Sequence, residues 1–155
     1  MRAEDVMTTK VITVTEDQTK QQAARLLSQH RISGLPVVNA DNVVVGVVTE
    51  YDVISKMGQT VGEIMTRGVI SITADTDLAE VGYILVNKRI KRLPVLDQGR
   101  LLGIVSRADL VREVALNWIC PVCGEVIRSE EQPERCPRCE AGNMPVSSEL
   151  ESPGS

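Results

Sequence analysis

Two stretches of this chain repeat one another almost residue for residue. Val6-Met7-Thr8 returns as Ile64-Met65-Thr66, Val11–Val14 as Val69–Ile72, and the run from His30 to Val38 as the run from Lys88 to Leu96, each 58 positions on (6 to 64, 11 to 69, 30 to 88). After a slip of one residue, Gly46-Val47-Val48-Thr49-Glu50-Tyr51-Asp52 returns as Gly103-Ile104-Val105-Ser106-Arg107-Ala108-Asp109, 57 positions on (46 to 103). A unit this short cannot bury its apolar face alone, so two copies must pack together and leave a cleft between them. The repeat divides the chain into copies at 1–58 and 59–117, a cysteine-bearing segment at 118–146, and a Ser-, Glu-, Pro- and Gly-rich tail at 147–155 expected to be disordered.

Within each copy the pattern is strand, helix, strand, strand, helix, an α/β (α+β) arrangement of type β-α-β-β-α. Val11–Val14 is a β-branched run; Thr15 with Gln18 three residues later has the form of a capping box, and Ala23, Ala24 and Leu27 then share a helical face, as do Leu78, Val81, Gly82 and Leu85. The polar stretch Asn39-Ala40-Asp41-Asn42 separates two apolar strands as a hairpin turn does, and Asp97-Gln98-Gly99 occupies the matching place. Closing helices are expected after Thr49 and Ser106, the second carrying Leu110, Val111, Val114, Ala115 and Trp118, and Gly58 to Gly62 reads as the linker. With no Phe, one Trp and two Tyr, the core must be aliphatic, and a flat ligand would lie against aliphatic side chains and backbone.

A formal charge of −4 argues against a general nucleic-acid surface. No apolar run approaches the roughly 20 residues that a spanning helix needs, and Arg2, Glu4 and Asp5 oppose a signal peptide, so a cytoplasmic protein without membrane contact is expected. Catalysis has little to work with: there is one His, His30, read as a surface residue, and no nucleophile beside a recognisable base. The chain is expected not to be an enzyme.

The doubled Gly-apolar-apolar-Thr/Ser-x-x-Asp motif with its upstream Leu-Pro-Val resembles the CBS domain, and two in tandem resemble a CBS pair, or Bateman module. The resemblance implies copies packed sheet to sheet around clefts for adenine nucleotides and other adenosyl ligands (AMP, ADP, ATP or S-adenosylmethionine), a regulatory role and a homodimer. Carried over, Asp52 and Asp109 would accept from ribose hydroxyls, and Thr49 and Ser106 would contact phosphate. The bases would lie beside Val11, Ile12 and Pro36 in one cleft and Val69, Ile70 and Pro94 in the other. Thr-x-x-Asp is equally a pattern that merely caps a helix, worth about 1 kcal/mol. Lys88, Arg89, Lys91 and Arg92 precede Leu93-Pro94, where the first copy has His30, Arg31, Ser33 and Gly34; with Arg107, the pair Lys91 and Arg92 favours tighter phosphate binding at Ser106/Asp109 than at Thr49/Asp52, unless these cations simply form a solvated helix end.

Cys120, Cys123, Cys136 and Cys139 form two Cys-x-x-Cys knuckles with 12 residues between them (124–135). Four thiolates at this spacing suit a tetrahedral metal, and the segment is too poor in apolar side chains to fold without one. It resembles a zinc ribbon, while Cys-Pro-Val-Cys-Gly is also similar to a rubredoxin knuckle, which holds iron. The short spacing favours zinc, with iron the alternative. Gly124 is placed to take a positive φ after the first knuckle; Glu140 stands at the second. The five glutamates of the segment outnumber its three arginines, so it is expected to contact protein rather than phosphate. A CBS pair with such a tail resembles archaeal proteins. The expectation is a non-catalytic sensor with an unidentified protein target; the alternatives are an iron redox carrier, or a structural adaptor with empty clefts.

Overall fold

The computed structural model describes residues 1–142; the expected disordered tail, 147–155, and the last residues of the expected metal domain lie outside the described residues. The described residues form two compact units, 1–107 and 108–142. The first holds α1 (Ala3–Val6), α2 (Lys20–His30), β1 (Gly34–Val38), β2 (Val44–Thr49), α3 (Glu50–Ser55), α4 (Val61–Ile64), α5 (Leu78–Asn87), β3 (Arg92–Asp97) and β4 (Arg100–Ser106).

Helix α2 starts four residues later than the Thr15/Gln18 pattern suggests. Thr15 does donate its amide to Gln18 Oε1 at 2.9 Å, but that pair closes a turn; the capping box is Thr19/Gln22, whose side chains each take the other's amide. The later box wins because the Lys20 amide is already held by the Gln59 carbonyl at 2.8 Å. Ala23 and Leu27 on the inner face are buried, as are Val81 and Leu85 of α5. Strands β1 and β2 pair antiparallel, as do β3 and β4, each with a register shift near the turn. The β-branched runs ahead of the helices contribute a single parallel bridge each, Val14 to Val37 and Ile72 to Val95, rather than full strands.

The copies trade segments. Residues 59–66, which open the second copy in sequence, lie on the first: the Val61 amide donates to Gln18 O, Gly62 to Glu16 O, and Thr66 pairs with Val47 through both backbone bonds, at 2.8 and 3.0 Å. Residues 1–8 do the same on the second copy, with Ala3 on Thr76, Glu4 on Ala74 and Thr8 paired with Ile104. Val61, Ile64 and Met65 thereby complete the core of Val14, Ala23, Leu27, Leu35, Val37 and Val48. Three such side chains contribute about 5–9 kcal/mol of apolar burial, before the entropy of ordering the segment is subtracted. The glycine of each motif is what lets the segment in: a Cβ on Gly46 would sit 2.8 Å from the Thr66 carbonyl oxygen, and one on Gly103 2.7 Å from that of Thr8. The hairpin tips join directly, Val44 donating to Gly99 O and Leu101 to Asn42 O.

The second unit carries nearly all of α6 (Arg107–Leu116), then β5 (Asn117–Ile119) and β6 (Val126–Arg128), which pair antiparallel. Trp118, expected on the helix, is instead in β5, its indole N–H bonded to Ser129 O at 2.9 Å. On α6 the buried residue is not an aliphatic one but Glu113, held by Arg128 through two bonds of 2.9 and 3.3 Å, while Val111 and Val114 are exposed. Among the described residues no helix is long and apolar enough to cross a membrane.

Candidate functional site

A cavity of about 240 Å³ opens between the two hairpins of the first unit. Its walls come from both copies: Pro36, Gly46 and Val47 from the first hairpin, Pro94 and Ile104 from the second, and Thr66, Val69 and Ile70 from the crossover and the chain after it. The lining is overwhelmingly apolar, and its volume is a little below the roughly 300 Å³ from which ordinary small-molecule sites begin, which suits one flat, base-sized group. Pro36 and Pro94 thus line one and the same cavity, where the sequence suggested one cleft each.

Arg92 is the charged member of the wall, and it reaches across to the other copy. Its Nη2 donates to Ser33 Oγ at 2.7 Å and Nη1 to the Gly34 carbonyl at 3.2 Å, and Gly34 is the strand partner of Thr49. Burial pulls the guanidinium below its ordinary value, opposed by the nearby Glu50 carboxylate. Arg92 was expected to serve Ser106 and Asp109; its backbone pairs with Ser106, while its guanidinium reaches the first copy beside Thr49.

Thr49 and Asp52 form a complete capping box at the start of α3. Asp52 is 1% exposed and takes hydrogen bonds from the Thr49 amide (3.0 Å) and hydroxyl (3.1 Å), from Thr66 Oγ1 (3.1 Å) and from Lys56 Nζ (2.7 Å). Burial raises its carboxyl, yet the bonds from Lys56, Thr49 and Thr66 outweigh this and hold it below the usual carboxylate range. Thr66 belongs to the cavity wall as well, so it joins Asp52 to the cavity. Neither Thr66 nor Lys56 was a sequence candidate. The i,i+4 spacing of Asp52 and Lys56 was a readable signal; Thr66 had none, because its place depends on the crossover.

The remaining candidates lie elsewhere. Ile12 packs on the first core and Val11 is half-buried; neither lines this cavity. Lys91 is exposed and offers its carbonyl to the Arg107 amide, while the Arg107 guanidinium donates to Ile90 O at 3.0 Å. Ser106 ends β4 opposite Arg92, and Asp109 is in the first turn of α6.

In the second unit the four cysteine sulfurs lie within 4.8 Å of one another, with Cys120 to Cys139 and Cys123 to Cys136 both at 3.6 Å. A tetrahedral metal with sulfur bonds of about 2.3 Å sets its ligands roughly 3.8 Å apart, whereas a disulfide needs about 2.05 Å, so the donor set fits a metal. Each knuckle turns back on itself: the Gly124 amide bonds Cys120 O and the Glu140 amide bonds Cys136 O, with φ of 77° and 61°. Glu140 therefore adopts the left-handed turn that glycine supplies in the first knuckle. The amide of Cys123 leads in drawing the Cys120 thiol down to about 6. Cys123 is drawn down by the Glu125 amide, but burial and three neighbouring sulfurs push it up to about 12. Four sulfurs this close cannot all ionise without a cation among them.

The CBS domain profile matches residues 3–58 and again 61–116, and that of the rubrerythrin, rubredoxin-like domain matches residues 118–144. An uncharacterized 17.7 kDa protein of Acidianus ambivalens is 30% identical over 145 residues, covering 79% of this chain and 88% of its own length. Among solved structures, the CBS domain pair of MJ0100 in complex with 5′-methylthioadenosine and S-adenosyl-L-methionine is 30% identical, with a TM-score of 0.67 over 72% of this chain and 94% of that one. CBSX2 in complex with AMP is 29% identical, with a TM-score of 0.69 over 72% and 93%.

Proposed function

Because the chain belongs to the CBS domain family, as a tandem pair followed by a rubredoxin-like domain, we propose that it is a non-catalytic regulatory sensor that binds an adenosyl ligand between its two copies. The observation that carries this reading is the 240 Å³ apolar cavity with Arg92 in its wall and the buried Asp52 behind Thr66. The base would lie between Pro36, Val69, Ile70 and Pro94, the ribose diol would reach Asp52, and Thr49 and Arg92 would face a phosphate or other polar end. Val11, Ile12, Lys91, Ser106, Arg107 and Asp109 are the candidates for a second cleft. Calorimetric titration with AMP, ADP, ATP, S-adenosylmethionine and 5′-methylthioadenosine tests it; micromolar binding of one of them, lost in Asp52→Asn, is the expected result, and failure of all five to bind refutes it.

The cysteine cluster would hold zinc, its role being to fold the segment and present it to a protein partner in a cytoplasmic, reducing setting. The 12-residue interval between the knuckles supports zinc. The rubredoxin-like match supports iron and electron transfer as the second reading. Metal analysis with visible spectroscopy separates the two, since four-thiolate iron is coloured and zinc is not. Exposed Tyr51 and Ile54 on α3, and Tyr83 and Val86 on α5, support a homodimer, which light scattering would test.

A further inference from the structure

A carboxylate offers about four acceptor positions, and those of Asp52 are all in use. The Thr49 amide and hydroxyl belong to the capping box of the same turn, and Lys56 sits one turn along α3. Thr66 is different: it arrives on the crossover segment, its backbone is fixed by both bonds to Val47, and it is itself one of the residues lining the cavity. Its hydroxyl is the donor to Asp52 that comes from outside α3 and its cap.

We infer that Thr66 Oγ1 is a resident substitute for the ligand's ribose hydroxyl, so that a ligand enters the first-copy cleft by exchanging with it. The inference rests on the reading of Asp52 as the ligand acceptor. The exchange is confined to the side chain. Rotation about χ1 of Thr66 withdraws the hydroxyl while the backbone pairing with Val47 stays in place, and threonine has a second staggered well available. Lys56 Nζ, 3.4 Å from Thr66 Oγ1 and 2.7 Å from Asp52 Oδ1, remains to neutralise the carboxylate throughout. Thr66 is thereby a specificity-determining residue. It imposes a competition for one acceptor position of Asp52, which a ligand wins by donating one hydroxyl there while Thr49 and Lys56 keep the others.

The test is calorimetric titration of AMP, S-adenosylmethionine and 5′-methylthioadenosine into the full chain and its Thr66→Val, Thr66→Ser and Asp52→Asn variants, with circular dichroism to establish folding. Removing the competing donor in Thr66→Val should tighten binding about tenfold; Thr66→Ser, which keeps the hydroxyl, should match the parent; Asp52→Asn should weaken it at least tenfold. If valine disturbs packing, Thr66→Ala is the second donor-free variant. In the parent, the Thr66 methyl resonance should shift in proportion to ligand bound. Thr66→Val and Thr66→Ala that bind no tighter than the parent, with Asp52→Asn weakened, overturn the substitution and leave the ligand reading standing. No binding to any of the four proteins, or an Asp52→Asn that binds like the parent, removes Asp52 as the acceptor and overturns the inference with it.

Discussion

Gly46→Ala tests the segment exchange at its tightest point. The added Cβ would lie 2.8 Å from the Thr66 carbonyl oxygen, 3.1 Å from Met65 Sδ and 3.4 Å from Met65 Cγ. A sulfur at the end of a flexible side chain can move; a backbone carbonyl cannot move alone, because Thr66 O accepts from the Val47 amide at 3.0 Å and the Thr66 amide donates to Val47 O at 2.8 Å. Overpacking of this kind costs about 1–3 kcal/mol, and weakening two backbone bonds adds about 0.5–1.5 kcal/mol each. The sum is about 2–6 kcal/mol, with Met65 and Ile64 lifted from the core as well. Urea unfolding followed by far-ultraviolet circular dichroism measures it. Gly34→Ala is the control, since a Cβ there meets only ordinary contacts at 3.6 Å or more, and its cost should stay below about 1 kcal/mol. Gly103→Ala, 2.7 Å from Thr8 O, should fall with Gly46→Ala. If Gly46→Ala is no more destabilising than Gly34→Ala, residues 59–66 do not lie across β2 and the exchange is refuted.

Three further outcomes follow from the sites. The Asp52 carboxyl sits below its ordinary range in the folded chain, so its stabilisation is complete above the unfolded value of about 4 and is lost as pH falls through the folded value; Asp52→Asn should lower stability by about 1–3 kcal/mol at pH 7 and flatten the acid limb of a stability-pH profile. A strong chelator, or Cys120→Ser, should abolish the order of residues 118–142 while the melting transition of residues 1–107 persists, as near-ultraviolet signals from Trp118 set against whole-chain far-ultraviolet melting would show. Glu140→Gly should stabilise the metal-loaded segment by about 0.5–1 kcal/mol, read as slower metal loss to a chromogenic chelator, because Glu140 holds φ at 61°.

Local chemistry was legible wherever the relevant residues are neighbours in sequence. The cysteine cluster draws its four ligands from 20 consecutive residues (120–139), and their spacing alone brings the sulfurs together. The Thr49/Asp52 pattern was readable as a capping box, and in this structure it is one. The start of α2 was misplaced because two Thr-x-x-Gln patterns, Thr15–Gln18 and Thr19–Gln22, follow one another there, and the choice between them is made by Gln59, 39 residues beyond Lys20 (20 to 59).

What the sequence by itself determined is the doubling: two copies of one pattern, with apolar periodicities that admit only a helix packed on a hairpin, and a metal-binding appendage. Which copy each crossover segment completes was decided by tertiary structure, because Val61, Ile64 and Met65 present the same apolar pattern to either core and only packing distinguishes the two. The same holds for the cleft. Arg92, Thr66 and Pro36 are far apart in the chain and reach one cavity only once the segments have exchanged and the hairpin tips have joined. Periodicity is a property of neighbours and dictates which face is buried; the partner that buries it is settled by shape, by the missing side chains of Gly46 and Gly103 and by the backbone pairing those gaps allow.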